Sequence, residues 1–291
     1  SKALYGCEAS LLHPADQMGL TTAIKHAVSK TSTHMSADLT FATSSHGSDV
    51  DPETVILTRR VTMLRRMLVK RPRLRKQVDN ILKEYTDAAY TGTQLAPIVD
   101  GTAEVAPLPG YPGRHSWKPH FRPFGPVGVL LVQLHEKAAA LSPELDIVST
   151  HAADLPILLC PLQAIKPMMH ELAARARTTA AEGTRREVEG LYEIDAKATT
   201  QIYSSLQENE ANFLRIVQQG AAWSKEAIEK TGHIADTKCD LCGHPKHTIQ
   251  HVIWNCPALH HHRVAANPML ASLPVDVIPQ SVQIGIAPAM C

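Results

Sequence analysis

The sequence predicts a mainly α-helical chain, and three observations carry that prediction. Apolar residues recur at helical spacing through the first ninety residues and again beyond residue 127. Cap signals stand where those stripes begin and end. A single apolar run invites a strand, and prolines bound it on both sides.

Taken in order, Leu20, Ile24 and Val28 recur every four positions, followed by the separate stripes Val61, Leu64, Leu68 and Leu74, Val78, Ile81 or Leu82, Tyr85. Gly47 to Asp51 interrupts the pattern. Asp51-Pro52 then supplies a capping oxygen and a proline at the first helical position, where a missing N–H is harmless. A helix over 52–70 follows, ended by Pro72, which pushes the residue before it out of the α region. Residues 96–126 hold seven prolines and little periodicity, the signature of a connector. Its Tyr111, Trp117, Phe121 and Phe124 offer anchors, but a solvated linker is the simpler expectation.

From Val127 the spacing returns through Leu131, Leu134, Ala138 and Leu141, and the run Leu155 to Pro161 makes a short buried or edge strand at most. Ile165, Met169, Leu172 and Ala176 mark another helix. Ser205 and Glu208 have the form of a capping box before Leu206, Phe213, Leu214 and Val217, with Gly220 as the stop. Ser224 caps a short helix that Gly232 terminates. His260-His261-His262 reads as the polar end of the last helix, with a spare metal site as the alternative.

A chain of 291 residues with 44% hydrophobic and 20% charged content can bury a real core in one or two domains. Its 29 Lys and Arg against 28 Asp and Glu leave a net charge of +1, so any electrostatic function is local. No stretch approaches the roughly 20 apolar residues of a membrane span, and the first 30 residues lack the layout of a secretory signal. No membrane partner is therefore expected, and the location expected is intracellular, nucleus or cytoplasm. With Ser at position 1, the chain reads as a piece of something longer. Six cysteines are too few for a disulfide scaffold, and three of them fall between 239 and 256.

That segment contains C-x2-C-x8-H-x4-C as Cys239, Cys242, His251 and Cys256. Zn²⁺ accepts thiolate and imidazole in a tetrahedron at about 2.3 and 2.0 Å, and a two-residue gap lets two thiolates bite from one knuckle. Gly243 permits the left-handed turn such a knuckle needs. The spacer 248–255 would be helical to bring His251 and Cys256 together. Four protein ligands leave no open position, so the single zinc expected here is structural. His244, His247, His260 and His262 lie near enough to compete for the histidine position, and reduced, buried thiols in a small core are the alternative to a metal. A module with only Leu241, Ile249, Val252, Ile253 and Trp254 to bury gains little from apolar burial, so metal would supply its folding free energy.

The run Gln219-Gly220, Ser224, Gly232-His233, Lys238 to Gly243, Thr248 to His251 and Trp254 to Leu259 resembles the zinc-binding region at the C-terminal end of non-LTR (LINE-type) retrotransposon reverse transcriptases. The opening Lys2 to Glu8 is similar to that family's segment just beyond the polymerase palm, where the thumb begins. The resemblance implies Cys239, Cys242, His251 and Cys256 as ligands. It departs at Lys246-His247, where the family usually carries an acidic pair. It also implies RNA, DNA or an RNA–DNA hybrid as partner, together with an upstream palm of the parent polymerase. Polymerase chemistry holds two Mg²⁺ with paired aspartates, and no Asp-Asp pair occurs in these 291 residues. No catalytic residue is assigned, and the chain is expected to be inactive alone.

A basic run fits the same picture: nine cations lie between Arg59 and Lys76 with no acidic residue among them. The cations Arg59, Arg66, Lys70 and Arg73 fall opposite Val61, Leu64 and Leu68, so one helix face could lie along a phosphate backbone. A solvated face paired with acidic residues is the alternative. Arg59, Arg60, Arg66, Lys70, Arg73 and Lys76 are the expected phosphate contacts. Trp254 would stack on a base if its ring is exposed, and would brace its neighbours if buried. Cys7 and Cys160 read as core residues, and His46 as a turn residue.

The organisation expected is a thumb-like helical domain at 1–92, a proline-rich linker at 93–126, a helical region at 127–232, a zinc knuckle at 233–266 and an irregular tail at 267–291. Two other functions remain open: a zinc-stabilised helical adaptor that binds protein, and an inactive remnant of a retroelement.

Overall fold

The computed structural model describes residues 12–29, 35–44, 46–90, 125–149, 153–233 and 236–289. The linker expected at 93–126, apart from its last two residues, and the opening segment with Cys7 lie outside them. The chain is mainly helical. Its helices are α1 (Pro14–Val28), α2 (Ala37–Thr43), α3 (Gly47–Val50), α4 (Pro52–Lys70), α5 (Arg75–Tyr90), α6 (Gly125–His135), α7 (Leu162–Glu182), α8 (Ala196–Gln201), α9 (Glu208–Gln218), α10 (Lys225–Glu229), α11 (His260–Ala266), α12 (Pro268–Ser272) and α13 (Gln280–Gln283). The strands β1 (Ala139–Leu141), β2 (Asp146–Ser149) and β3 (Leu155–Pro156) form one small sheet. No helix among the described residues is long and apolar enough to cross a membrane.

The chain divides into two compact units, one of residues 1–24 and 48–176, the other of 25–47 and 177–291. In the first, α4 begins where its cap predicts, with the Asp51 carboxylate accepting from the Glu53 N–H and the Thr54 hydroxyl. It ends at Lys70, before Pro72. Its inner stripe, Leu57, Val61, Leu64 and Leu68, packs in one core with Val78 and Leu82 of α5, Leu130, Leu131 and Leu134 of α6, and Ile165, Met169 and Leu172 of α7. Helices on both sides of the proline-rich segment thus share this core, which the expected boundary at 93–126 would have divided. The reason is α6: Val127 to Leu134 is buried all round, and such a helix needs partners on every side.

The single polar residue in that buried stretch, Gln133, organises a polar network. Its amide accepts from Arg60 at 2.7 Å and donates to the Glu53 carbonyl at 2.9 Å. The Glu53 carboxylate pairs with Lys137, both side chains being buried, and accepts from Gln17 at 2.8 Å. Removing one partner of a buried pair strands the other charge. Lys137→Ala is expected to cost about 3 kcal/mol of stability, measured by urea unfolding, while Lys166→Ala, whose pair with Asp49 is exposed, changes it by well under about 1 kcal/mol.

The helical spacing expected from Val127 through Leu141 ends at His135. Ala138 turns the chain at φ +53°, and Ala139 to Leu141 pair antiparallel with β2. A three-residue apolar run carries no period, so sequence alone could not separate helix from strand there. Leu155 does form the short strand expected, paired with Ile147, and Cys160 is buried.

The second unit gathers Leu39 and Ala42 of α2, Ala181 at the end of α7, Val188, Ile194 and Ile286 into its own core. Buried Arg177 pairs with Asp38 at 2.7 Å and lies over the Phe41 ring. The capping box sits two residues later than expected: α9 begins at Glu208, and Glu210 accepts from the Gln207 N–H at 2.9 Å. Ser205 belongs instead to a preceding 3-10 turn. Gly220 and Gly232 have positive φ, as their stopping roles require. Over 267–289 the tail expected to be irregular is ordered. It carries α12 and α13, buries Ile286 completely, and pairs with the core by Asp195 N–H to Ala287 C=O at 2.9 Å and Ala289 N–H to Glu193 C=O at 3.0 Å.

Candidate metal centre and basic face

The sulfur atoms of Cys239, Cys242 and Cys256 and a ring nitrogen of His251 lie within 4.8 Å of one another. This is close to the edge of about 3.8 Å in a tetrahedron of bonds near 2.3 Å. The cluster can therefore hold one metal ion. Local sequence builds it from two halves. The knuckle closes by Cys239 N–H to His244 C=O and Gly243 N–H to Cys239 C=O, both 2.8 Å, with Gly243 at φ +75°. The second half is a helical turn that Thr248 caps, its hydroxyl accepting from the His251 N–H at 2.9 Å. Residues 251–255 then widen into a π-turn, which brings His251 and Cys256 to one side despite their five-residue spacing.

His251 is the histidine this geometry brings in, with Nε2 3.2 Å from the Cys242 sulfur. His244 instead stacks on the His251 ring at 4.4 Å, and His247 Nδ1 accepts from the Lys225 N–H. His260, His261 and His262 are exposed and open α11 rather than closing the last helix. Cys239, His251 and Cys256 are buried. Burial raises the Cys239 thiol, but the Leu241 and Cys242 N–H groups and the neighbouring Cys242 and Cys256 side chains outweigh it and hold it below the usual cysteine range. Burial, then the nearby His244, His247 and Arg263, holds His251 below the usual histidine range. A thiolate and a neutral imidazole are the forms that bind a metal.

Two supports were not legible from spacing. Arg263 donates to the Cys256 carbonyl at 2.7 Å and the Ile253 carbonyl at 3.3 Å, satisfying the end of the ligand-bearing turn. Trp254 is half-buried, and its indole N–H donates to the Gln283 carbonyl at 2.8 Å. That bond ties one edge of the half-buried ring to the tail, between the exposed ring that stacking calls for and the buried one that bracing alone implies.

In the other unit, the basic run divides into exposed and committed members. Arg66, Lys70, Arg73 and Lys76 are exposed as expected, Arg71 joins them, and Arg59 is half-buried. Arg60 is not a surface contact: it is 4% exposed and bonded to Gln133. Its position, three beyond Leu57 and four before Leu64, places it on the core stripe. Arg65 reaches the Ile157 carbonyl at 2.9 Å, and Arg75 pairs with Asp79. A groove of about 600 Å³ runs along the outer face, lined by Thr58, Arg59, Thr62, Met63, Arg66, Met67, Lys70, Arg71 and Leu74. Four of these are cations and none is acidic.

No family model matches the chain, and neither a curated protein nor a solved structure matches it.

Proposed function

We propose that this chain is the nucleic-acid-binding C-terminal part of a non-LTR retrotransposon reverse transcriptase, holding template and primer or target for the palm of the parent polymerase. The observation that carries this reading is the convergence of Cys239, Cys242, His251 and Cys256 in the C-x2-C-x8-H-x4-C segment on which the resemblance rests. Three thiolates and an imidazole suit zinc, and a closed set of four suits a structural rather than a catalytic ion. The zinc would hold the knuckle against the turn that carries His251 and Cys256, and no polymerase step is assigned to these residues.

The basic face supplies the grip. Arg66, Lys70, Arg71, Arg73 and Lys76 extend outward from α4 and the turn into α5. They would neutralise backbone phosphates without reading sequence. Arg59 borders the same groove.

One observation favours a second reading, a zinc-stabilised adaptor for protein: the Trp254 indole N–H bonds inward to the tail, so the module braces its own unit. Titrating a labelled RNA–DNA primer–template with the zinc-loaded chain across a salt series separates the two. Phosphate contact predicts that log K falls against log salt with a slope of about −3 or steeper, each phosphate contributing roughly −0.9 on a B-form duplex. Absence of binding at low salt rejects the nucleic-acid role in favour of the adaptor.

A further inference from the structure

Gln283, in the tail, holds both sides of the metal-ligand turn. Its side-chain carbonyl accepts from the Gln250 amide at 2.8 Å, and its backbone carbonyl accepts from the Trp254 indole N–H at 2.8 Å. Gln250 and Trp254 flank His251, one position before it and three after. The Gln283 amide nitrogen donates at 3.0 Å to the Val275 carbonyl and at 2.8 Å to the Ile278 carbonyl. One buried side chain thus closes the tail's own loop and grips the turn that presents His251 and Cys256.

The tail is in turn anchored in its unit. Gln218 of α9 donates to the Gly285 carbonyl at 2.6 Å, Tyr203 donates to the Gln218 side chain, and Ile286 is fully buried. The tail is therefore held at Gly285 and Ile286 by the second unit and, two residues earlier, is bonded through Gln283 to the turn carrying two of the four candidate ligands.

We infer that Gln283 is a positioning residue for the metal centre, and that metal binding and docking of the tail over 275–289 stabilise each other through it. The physical basis is preorganisation: a hydrogen bond that holds the ligand-bearing turn in place, worth about 1 kcal/mol net, carries over into metal affinity. Coupling between two sites is reciprocal, so what the tail does for the metal the metal does for the tail. The inference rests on the reading of the cluster as a metal site.

The test uses the full chain and zinc ion alone. Chelator competition is expected to show Gln283→Ala, which loses the side-chain bond to Gln250, binding zinc about 5-fold to 10-fold more weakly. Leu57→Ala, which damages the core of the other unit and touches no tail residue, should leave zinc affinity within about twofold. In the unaltered chain, saturating zinc should slow amide exchange across 275–289, and Gln283→Ala should abolish that gain. Wild-type affinity in a folded Gln283→Ala chain overturns the inference, as does tail exchange that ignores zinc in the unaltered chain. The exchange measurement needs no variant to fold. A chain that binds no zinc at all overturns the metal reading with it, whereas tight zinc binding without the coupling overturns only the role of Gln283.

Discussion

Cys256→Ser is expected to weaken metal binding by about 100-fold or more and to loosen the whole segment from Thr237 to Arg263. A four-ligand site worth roughly 10 kcal/mol or more loses about a quarter of its donors, and each 1.4 kcal/mol is tenfold. The loss should spread because Cys256 is both a ligand and a structural junction. Its N–H donates to the His251 carbonyl at 2.7 Å, and its own carbonyl accepts from Arg263. Metal titration followed by circular dichroism reads both effects. A cluster of ordinary buried thiols predicts otherwise: a modest loss of stability, and no response of the unaltered chain to a chelator. Cys160→Ser provides the contrast, since that thiol is buried in the other unit away from any such cluster.

The second large effect concerns the basic face. Arg66→Ala combined with Lys70→Ala should weaken primer–template binding at low salt by about 10-fold or more and flatten the salt slope by about 1.8, two phosphate contacts at roughly 0.9 each. Both side chains are exposed, so stability should change by no more than about 0.5 kcal/mol. Arg60→Ala should do the reverse. It removes the hydrogen-bond donor to Gln133 in the core, so it should destabilise the chain while leaving the salt slope unchanged in the fraction that folds. Equal slopes in all three chains would mean that the face touches no phosphate.

The divergence between Arg60 and its neighbours shows where sequence reasoning reaches and where it stops. Helical spacing placed Val61, Leu64 and Leu68 inward and Arg66 and Lys70 outward, because a single helix carries that information in its own period. What Arg60 does depends on Gln133, 73 residues away, and no local pattern encodes that partner. The same division holds at the candidate metal centre. The four members of the Cys/His cluster and the Gly243 turn were legible because metal-binding chemistry needs those residue types at short, fixed spacing. The choice of His251 over His244 and His247 depended on which ring the helical turn carries inward, and spacing alone left that open.

The tail was the least legible part. Its helices α12 and α13 span five and four residues, too short for a hydrophobic period to emerge. Its order comes from long-range bonds instead, the pairing of Ala287 and Ala289 with residues 193–195 and the Gln283 contacts. The capping box failed by a smaller margin. Ser205 and Glu208 have the right spacing, but a 3-10 turn over 202–205 uses that stretch and delays the helix to Glu208.

Cys239, Cys242, His251 and Cys256 form a cluster able to hold one metal ion, and metal content together with cobalt substitution of the purified, reduced chain shows whether they do so. The prediction is one equivalent of zinc per chain, replaceable by cobalt with the absorption of a tetrahedral ion and the charge-transfer band of three thiolates. A chain that stays folded and retains no metal, with all three thiols reduced, would contradict it.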